Sequence, residues 1–320
     1  MSSPIEPQQF ENEPAPPAHA GRKATLFDTI FLGADGVRAG WRAGVYVSLF
    51  FVLTSAAQLA AGAMGISARI DPRDMTPWPV FLQEFVIFMA ALGAAAALGL
   101  VEGKSIGDYG LPWRRAFRGY FWQGVLWGFG EISALVILIA GMGGYYLGRQ
   151  MLSDRQALVS GGLWAVVFLM VALAEEFAFR GYLLKTLTSG MGFWPAAILL
   201  SLGFGAVHMG NPGENPTGLL SVAAVGLFFC VTVRFTGDLW FAIGLHTAHD
   251  FAQAFVYSVP NSGTLIRGPL FRAALAGPAW LTGGAAGPEG SFLELAVLGF
   301  VFVLFTSIYY SAPAPTKPQD

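Results

Sequence analysis

Eight stretches of this chain, near 43–65, 80–100, 120–146, 162–186, 193–209, 217–234, 239–257 and 292–310, are apolar over about the length a helix needs to cross a bilayer. In lipid a spanning segment must satisfy its own backbone N–H and C=O groups, and a lone segment of this length does so only as a helix. The chain therefore reads as all-α, a polytopic membrane bundle of about eight transmembrane helices. Composition agrees: the 320 residues are 54% hydrophobic and 12% charged, against roughly 25% charged in a soluble domain. A net charge of -2 offers no basic field for phosphates, which excludes nucleic acid as a partner and leaves the lipid bilayer. The fifth stretch is short, and Asn211-Pro212-Gly213-Glu214-Asn215-Pro216 behind it breaks any helix. It either ends inside the bundle or has a different boundary.

Residues 1–40 are polar and Pro-rich, without the basic and apolar regions of a signal peptide, and read as a disordered cytoplasmic tail. Residues 41–310 form a single transmembrane domain, and 311–320, with Pro313, Pro315 and Pro318, a second disordered tail. Counting Lys and Arg on alternate sides of the spans gives twelve, including Arg42, Arg114, Lys185 and Arg234, against six, including Arg73, Arg149 and Arg272. The positive-inside rule then puts the N- and C-termini in the cytoplasm of a multi-pass protein of the cell (plasma) membrane. The loop from Ser258 to Ser291 is long, Gly-rich and fairly apolar, which suits a lid or a re-entrant element. The single cysteine, Cys230, rules out an intrachain disulfide and a thiolate zinc cage.

Ionisable residues are expensive inside a membrane, at about 2.5–3.5 kcal/mol on insertion scales, and mark functional sites. Glu175, Glu176 and Arg180 lie on the fourth span, His208 closes the fifth, and His246, His249 and Asp250 lie on the seventh. At 100° per residue Glu176 and Arg180 share a face one turn apart and form an i,i+4 pair, while Glu175 points away. That division leaves Glu175 free to act as a general base or acid. His246 and Asp250 are also one turn apart, placed to hold a metal, orient a water or stabilise an oxyanion. Glu84, Glu131 and Glu294 have no partner nearby in sequence and read as interface or packing groups.

Glu-Glu-x-x-x-Arg at 175–180, Phe-x-x-x-His at Phe204 to His208 and His-x-x-x-Asp at His246 to Asp250 follow one another on successive spans. In this order they resemble the CAAX prenyl protease and bacteriocin-processing family of intramembrane endopeptidases, also called the Abi family. The stretch from Glu102 to Gly110 and the loop from Gly277 to Ser291 also look like members of it. The resemblance implies an eight-helix bundle with an intramembrane cavity and a peptide or membrane-protein substrate. It also implies that Glu175 and His208 activate the attacking water, and that His246 and residue 250 stabilise the oxyanion. Glu176 and Arg180 would then support structure or orient substrate, with Phe204 and His249 beside the site. CAAX proteases of the eukaryotic type carry Asn where this chain has Asp250. A carboxylate beside an oxyanion repels it, so Asp250 must be protonated, turn its charge to His246, or bind a metal.

No cofactor is favoured. Zinc or another divalent metal remains an option, with Glu175, His208, His246 and Asp250 as candidate ligands, which would make the site metalloprotease-like. The absence of an H-E-x-x-H pair favours a glutamate-activated water without metal. Two rivals use the same residues: a proton- or ion-coupled carrier, since buried Glu/His/Asp clusters also line proton paths, and a silent scaffold. A carrier calls for paired broken helices in two halves, and only the break near Asn211 to Pro216 is evident.

Overall fold

The computed structural model describes Thr25 and residues 30–33, 36–65 and 70–310. Most of the expected tail at 1–40 and all of 311–320 lie outside the described residues. A two-residue ribbon of β1 (Leu32–Gly33) and β2 (Gly36–Val37) precedes the bundle. The helices are α1 (Ala39–Ala63), α2 (Pro77–Glu102), α3 (Gly119–Gly141), α4 (Asp154–Glu176), α5 (Tyr182–Met191), α6 (Phe193–His208), α7 (Pro216–Thr236), α8 (Trp240–Phe251), a one-turn α9 (Ala279–Thr282) and α10 (Phe292–Tyr310). A π-turn, Phe177–Gly181, joins α4 to α5 without a break, and a second, Ala252–Val256, extends α8.

Six of these runs are long and apolar enough to cross a membrane, α4 and α5 counting as one 38-residue run. The fifth expected span, α6, has only 16 residues, or about 24 Å against the ~30 Å of a hydrocarbon core. The seventh, α8 with its π-turn, is comparably short. Two boundaries differ from expectation. The third span stops at Gly141 rather than 146, because Tyr145 and Tyr146 form strand β3 (Tyr145–Tyr146) against β4 (Ala274–Leu275) in the long loop. The fourth begins at Asp154 rather than 162, where Ser153 and Gln156 form a capping box.

Contacts among the loops sort the two ends of the bundle into two faces. On one, Arg42 pairs with Glu102, Lys185 Nζ donates to the Asp108 carbonyl and Arg115 pairs with Asp238. Burial pushes the Asp238 carboxyl up, while the Trp240 N–H and Arg115 pull it back. On the other face Arg267 pairs with Asp74, Met75 bridges to Ile266 and Gln150 to Phe271. These are the two sides that the alternating count of Lys and Arg separates.

The close approach of α3 to α8 positions the centre of the bundle. A Cβ at Gly124 would overlap the Phe241 carbonyl, one at Gly128 the Leu245 carbonyl, and one at Gly244 the Phe121 carbonyl. Small residues let two membrane helices pack backbone to backbone, where dispersion replaces the missing hydrophobic drive. The loop between α8 and α10 is no passive connector. Val259, Ile266, Leu281, Ala286, Glu289 and Ser291 are buried, Gly263 N–H donates to the Ala286 carbonyl, and Asn215 Nδ2 to the Gly283 carbonyl. The segment folds back over the ends of α6, α7 and α8.

Candidate active site

Three carboxylates meet one imidazole at the heart of the bundle. His246, from α8, has Nδ1 at 3.0 Å from Glu176 Oε1 and Nε2 at 3.4 Å from Asp250 Oδ2 and 3.8 Å from Glu175 Oε2. Glu176 is fully buried and takes Arg180 Nη1 at 3.3 Å, the i,i+4 pair expected of their spacing. An ionised carboxylate only accepts, so His246 Nδ1 carries a proton and donates to Glu176, leaving Nε2 to face Asp250 and Glu175. The Glu175 side chain is 27% exposed and accepts no hydrogen bond among the described residues, in keeping with the free carboxylate read from the helical wheel. Asp250 turns its charge to His246, which is one of the three ways a carboxylate can sit beside an oxyanion.

Aromatic rings wall this chain of charges. The Arg180 guanidinium lies 4.2 Å from the Phe204 ring centre and 5.4 Å from that of Phe229, and Phe229 stacks on His246 at 5.2 Å. Cation–π contact stabilises a buried guanidinium that has only one carboxylate. Gly226 makes the room, since a Cβ there would stand 2.8 Å from Arg180 Nη2. The π-turn begins directly after Glu176 and the second begins two residues after Asp250. Such turns recur at functional sites because they rotate the following residues off the helical period.

His208, at the end of α6, donates from Nδ1 to the Phe204 carbonyl at 2.8 Å, which leaves Nε2 as an acceptor. It shares a cavity of about 60 Å³ with His246, His249 and Asp250, and Phe204 and Phe229 form part of the wall. Glu175 reaches this group through His246 rather than by lining the cavity.

Several contributors are invisible in the local sequence pattern. Glu131 does have a partner: its Oε2 lies 2.6 Å from His249 Nδ1. On the far side His249 Nε2 stands 4.0 Å from Glu289, which also takes Gln253 Nε2 at 2.8 Å and the Ser262 N–H. Asn261 meets Asp250, and Glu84 faces both Glu175 and His246. The cost of a membrane carboxylate already marked Glu84 and Glu131, but nothing marked Asn261 or Glu289 in a Gly-rich loop. Glu214, in the turn between α6 and α7, is pushed up to about 7 by burial first and then by Glu289, with His208 opposing.

A catalytic zinc needs three protein donors converging at about 2.0–2.3 Å on a common point. Among the described residues no three His, Cys, Asp or Glu side chains are arranged to hold a metal ion. His246 Nδ1 is engaged by Glu176 and His208 Nδ1 by its own helix, so each imidazole presents Nε2 to the cavity.

Residues 157–252 match the family described as Type II CAAX prenyl endopeptidase Rce1-like. The matched segment holds all three motifs, so the resemblance carried by Glu175 to Arg180, Phe204 to His208 and His246 to Asp250 is borne out. No curated protein and no solved structure matches the chain.

Proposed function

We propose, from a domain similar to type II CAAX prenyl endopeptidases over residues 157–252, that this chain is an intramembrane endopeptidase that hydrolyses its substrate with a water activated by Glu175 and His208. The observation that carries the reading is the double commitment of His246: Nδ1 on a Glu176 that pairs with Arg180, Nε2 turned towards Glu175 and Asp250. An imidazole tethered in this way has one orientation, which is preorganisation for catalysis.

In the proposed reaction Glu175 takes a proton from water, with His208 Nε2 as the second acceptor that orients it. The hydroxide oxygen bonds to the carbonyl carbon of the scissile peptide. The carbonyl π-electrons move to oxygen, and His246, protonated on both nitrogens, donates from Nε2 to that oxyanion. Asp250 stabilises the imidazolium in place of donating to the oxyanion itself. When the intermediate collapses, the C–N bond breaks and the amine leaves with the proton that Glu175 took. No metal enters these proposed steps.

The substrate is a peptide or a membrane-protein segment entering from the bilayer, and the family description names prenylated proteins as the class to try first. The termini are proposed to face the cytoplasm, with the protein in the cell membrane. Glu175→Gln is expected to lower turnover by about 10²–10⁴, the usual contribution of a general base, while leaving the fold intact. Mass spectrometry of a peptide library digested by wild type and variant measures this. Turnover within threefold of wild type would remove Glu175 from the mechanism.

A further inference from the structure

His249 repeats, three residues along α8, the arrangement that holds His246. Nδ1 of His246 donates to Glu176 of α4, and Nδ1 of His249 donates to Glu131 of α3 at 2.6 Å. Each ring is fixed by a carboxylate from a different helix, and both rings line one cavity. The second tether is itself held in place: Glu131 is 5% exposed, Glu294 lies against it, and the backbone contact at Gly124, Gly128 and Gly244 keeps α3 within reach of α8. Neither the water activation nor the oxyanion contact uses His249. Its Nε2 stands 4.0 Å from Glu289, too far for a normal hydrogen bond, and Glu289 already accepts from Gln253 and the Ser262 N–H. Set among the carboxylates of Glu131, Glu289 and Asp250, the ring keeps a hydrogen on each nitrogen. Nε2 is then a donor in the cavity wall with no acceptor at bonding distance among the described residues.

We propose that His249 binds substrate, donating from Nε2 to a main-chain carbonyl beside the scissile bond, and that Glu131 is the positioning residue that aims it. The proposal rests on the peptidase reading and adds main-chain recognition to it. Helix residues three apart have Cβ atoms about 5–6 Å from one another, and an extended peptide advances about 3.3 Å per residue. With the scissile carbonyl at His246 Nε2, the carbonyl that meets His249 therefore belongs to a residue one or two positions away. Two donors at that spacing fix the direction of the substrate chain as well as its register, which a single oxyanion contact does not.

The test starts from a library peptide that wild type cuts. Each main-chain amide within two residues of the scissile bond is replaced in turn by a trans-alkene, which keeps the shape and removes the carbonyl. Wild-type protein in detergent is expected to lose about tenfold in kcat/KM at one position, the scale of one charge-assisted hydrogen bond. In His249→Phe that loss should shrink to within about twofold while other positions keep theirs, which is the coupling a double-mutant cycle isolates. Glu131→Leu should do the same, and Glu131→Gln, whose amide oxygen still accepts from Nδ1, should keep most of the loss. No sensitive position in wild type, or a loss undiminished in His249→Phe, overturns the contact. A loss undiminished in Glu131→Leu overturns the positioning role. Should the variants not fold, the wild-type scan alone decides. If no peptide is cut, the peptidase reading fails, and equilibrium binding of the library peptides and their alkene forms to Glu175→Gln protein judges the contact by itself. Equal Kd values for amide and alkene forms, or no binding of either, would overturn it.

Discussion

At the scale of single residues, the four charged groups around His246 form a series in which each member's state depends on its neighbour. Arg180 is the only guanidinium in it, and its Nε and Nη2 have no oxygen or nitrogen acceptor among the described residues. Removing it strands Glu176 in a fully buried position, and breaking a buried pair from one side costs about 3–5 kcal/mol. Arg180→Ala is therefore expected to lower the melting temperature in detergent and to abolish activity. The double change Glu176→Gln with Arg180→Met should recover part of the stability, because neither charge is left unpaired. Equal melting of all three proteins would show the pair to be energetically idle. Asp250 gives a sharper choice. Asp250→Asn is expected to retain activity, because a neutral amide can donate to an oxyanion without repelling it. Loss of activity together with loss of a stoichiometric zinc, measured by elemental analysis, would instead make Asp250 a metal ligand.

At the scale of helices, the site depends on how closely α3 and α8 approach. Gly124, Gly128 and Gly244 bring the two backbones into contact, and that contact lets Glu131 of α3 reach His249 of α8. Gly130, on the same helix, has open space where a Cβ would stand. Gly128→Val should therefore force the helices apart at about 1–3 kcal/mol or more and lower both thermal stability and activity. Gly130→Ala should leave both near wild type. Comparable melting curves for the two variants would mean that α3 and α8 are not held at backbone contact. The π-turns belong to this scale as well, since each redirects its helix just beyond the residues that face His246.

At the scale of the whole molecule, charge partition and loop contacts agree on which ends share a face. They leave open which face is cytoplasmic, and the excess of Lys and Arg assigns it. Cys230 is buried, so a membrane-impermeant maleimide reports only on an introduced cysteine. Arg114→Cys is expected to be labelled only in inside-out vesicles and Arg272→Cys only in intact cells. The reverse pattern would invert the topology, and with it the leaflet from which substrate enters.

Spans, the Glu176–Arg180 pair and the His246–Asp250 turn were legible in the sequence because each is a local property. Apolar length marks a crossing, and residues four apart share a helix face whatever surrounds them. Family resemblance then joined motifs that local rules cannot connect. Only the tertiary structure brought Glu131 to His249, 118 positions apart, and folded Glu289 and Asn261 back over the site. No periodicity relates such residues, and their meeting depends on how closely helices pack and where a loop returns. Tertiary structure likewise decided that α6 stops short, because the turn that follows it is tied to the returning loop, Asn215 donating to the Gly283 carbonyl and Gly213 packing on Ala285.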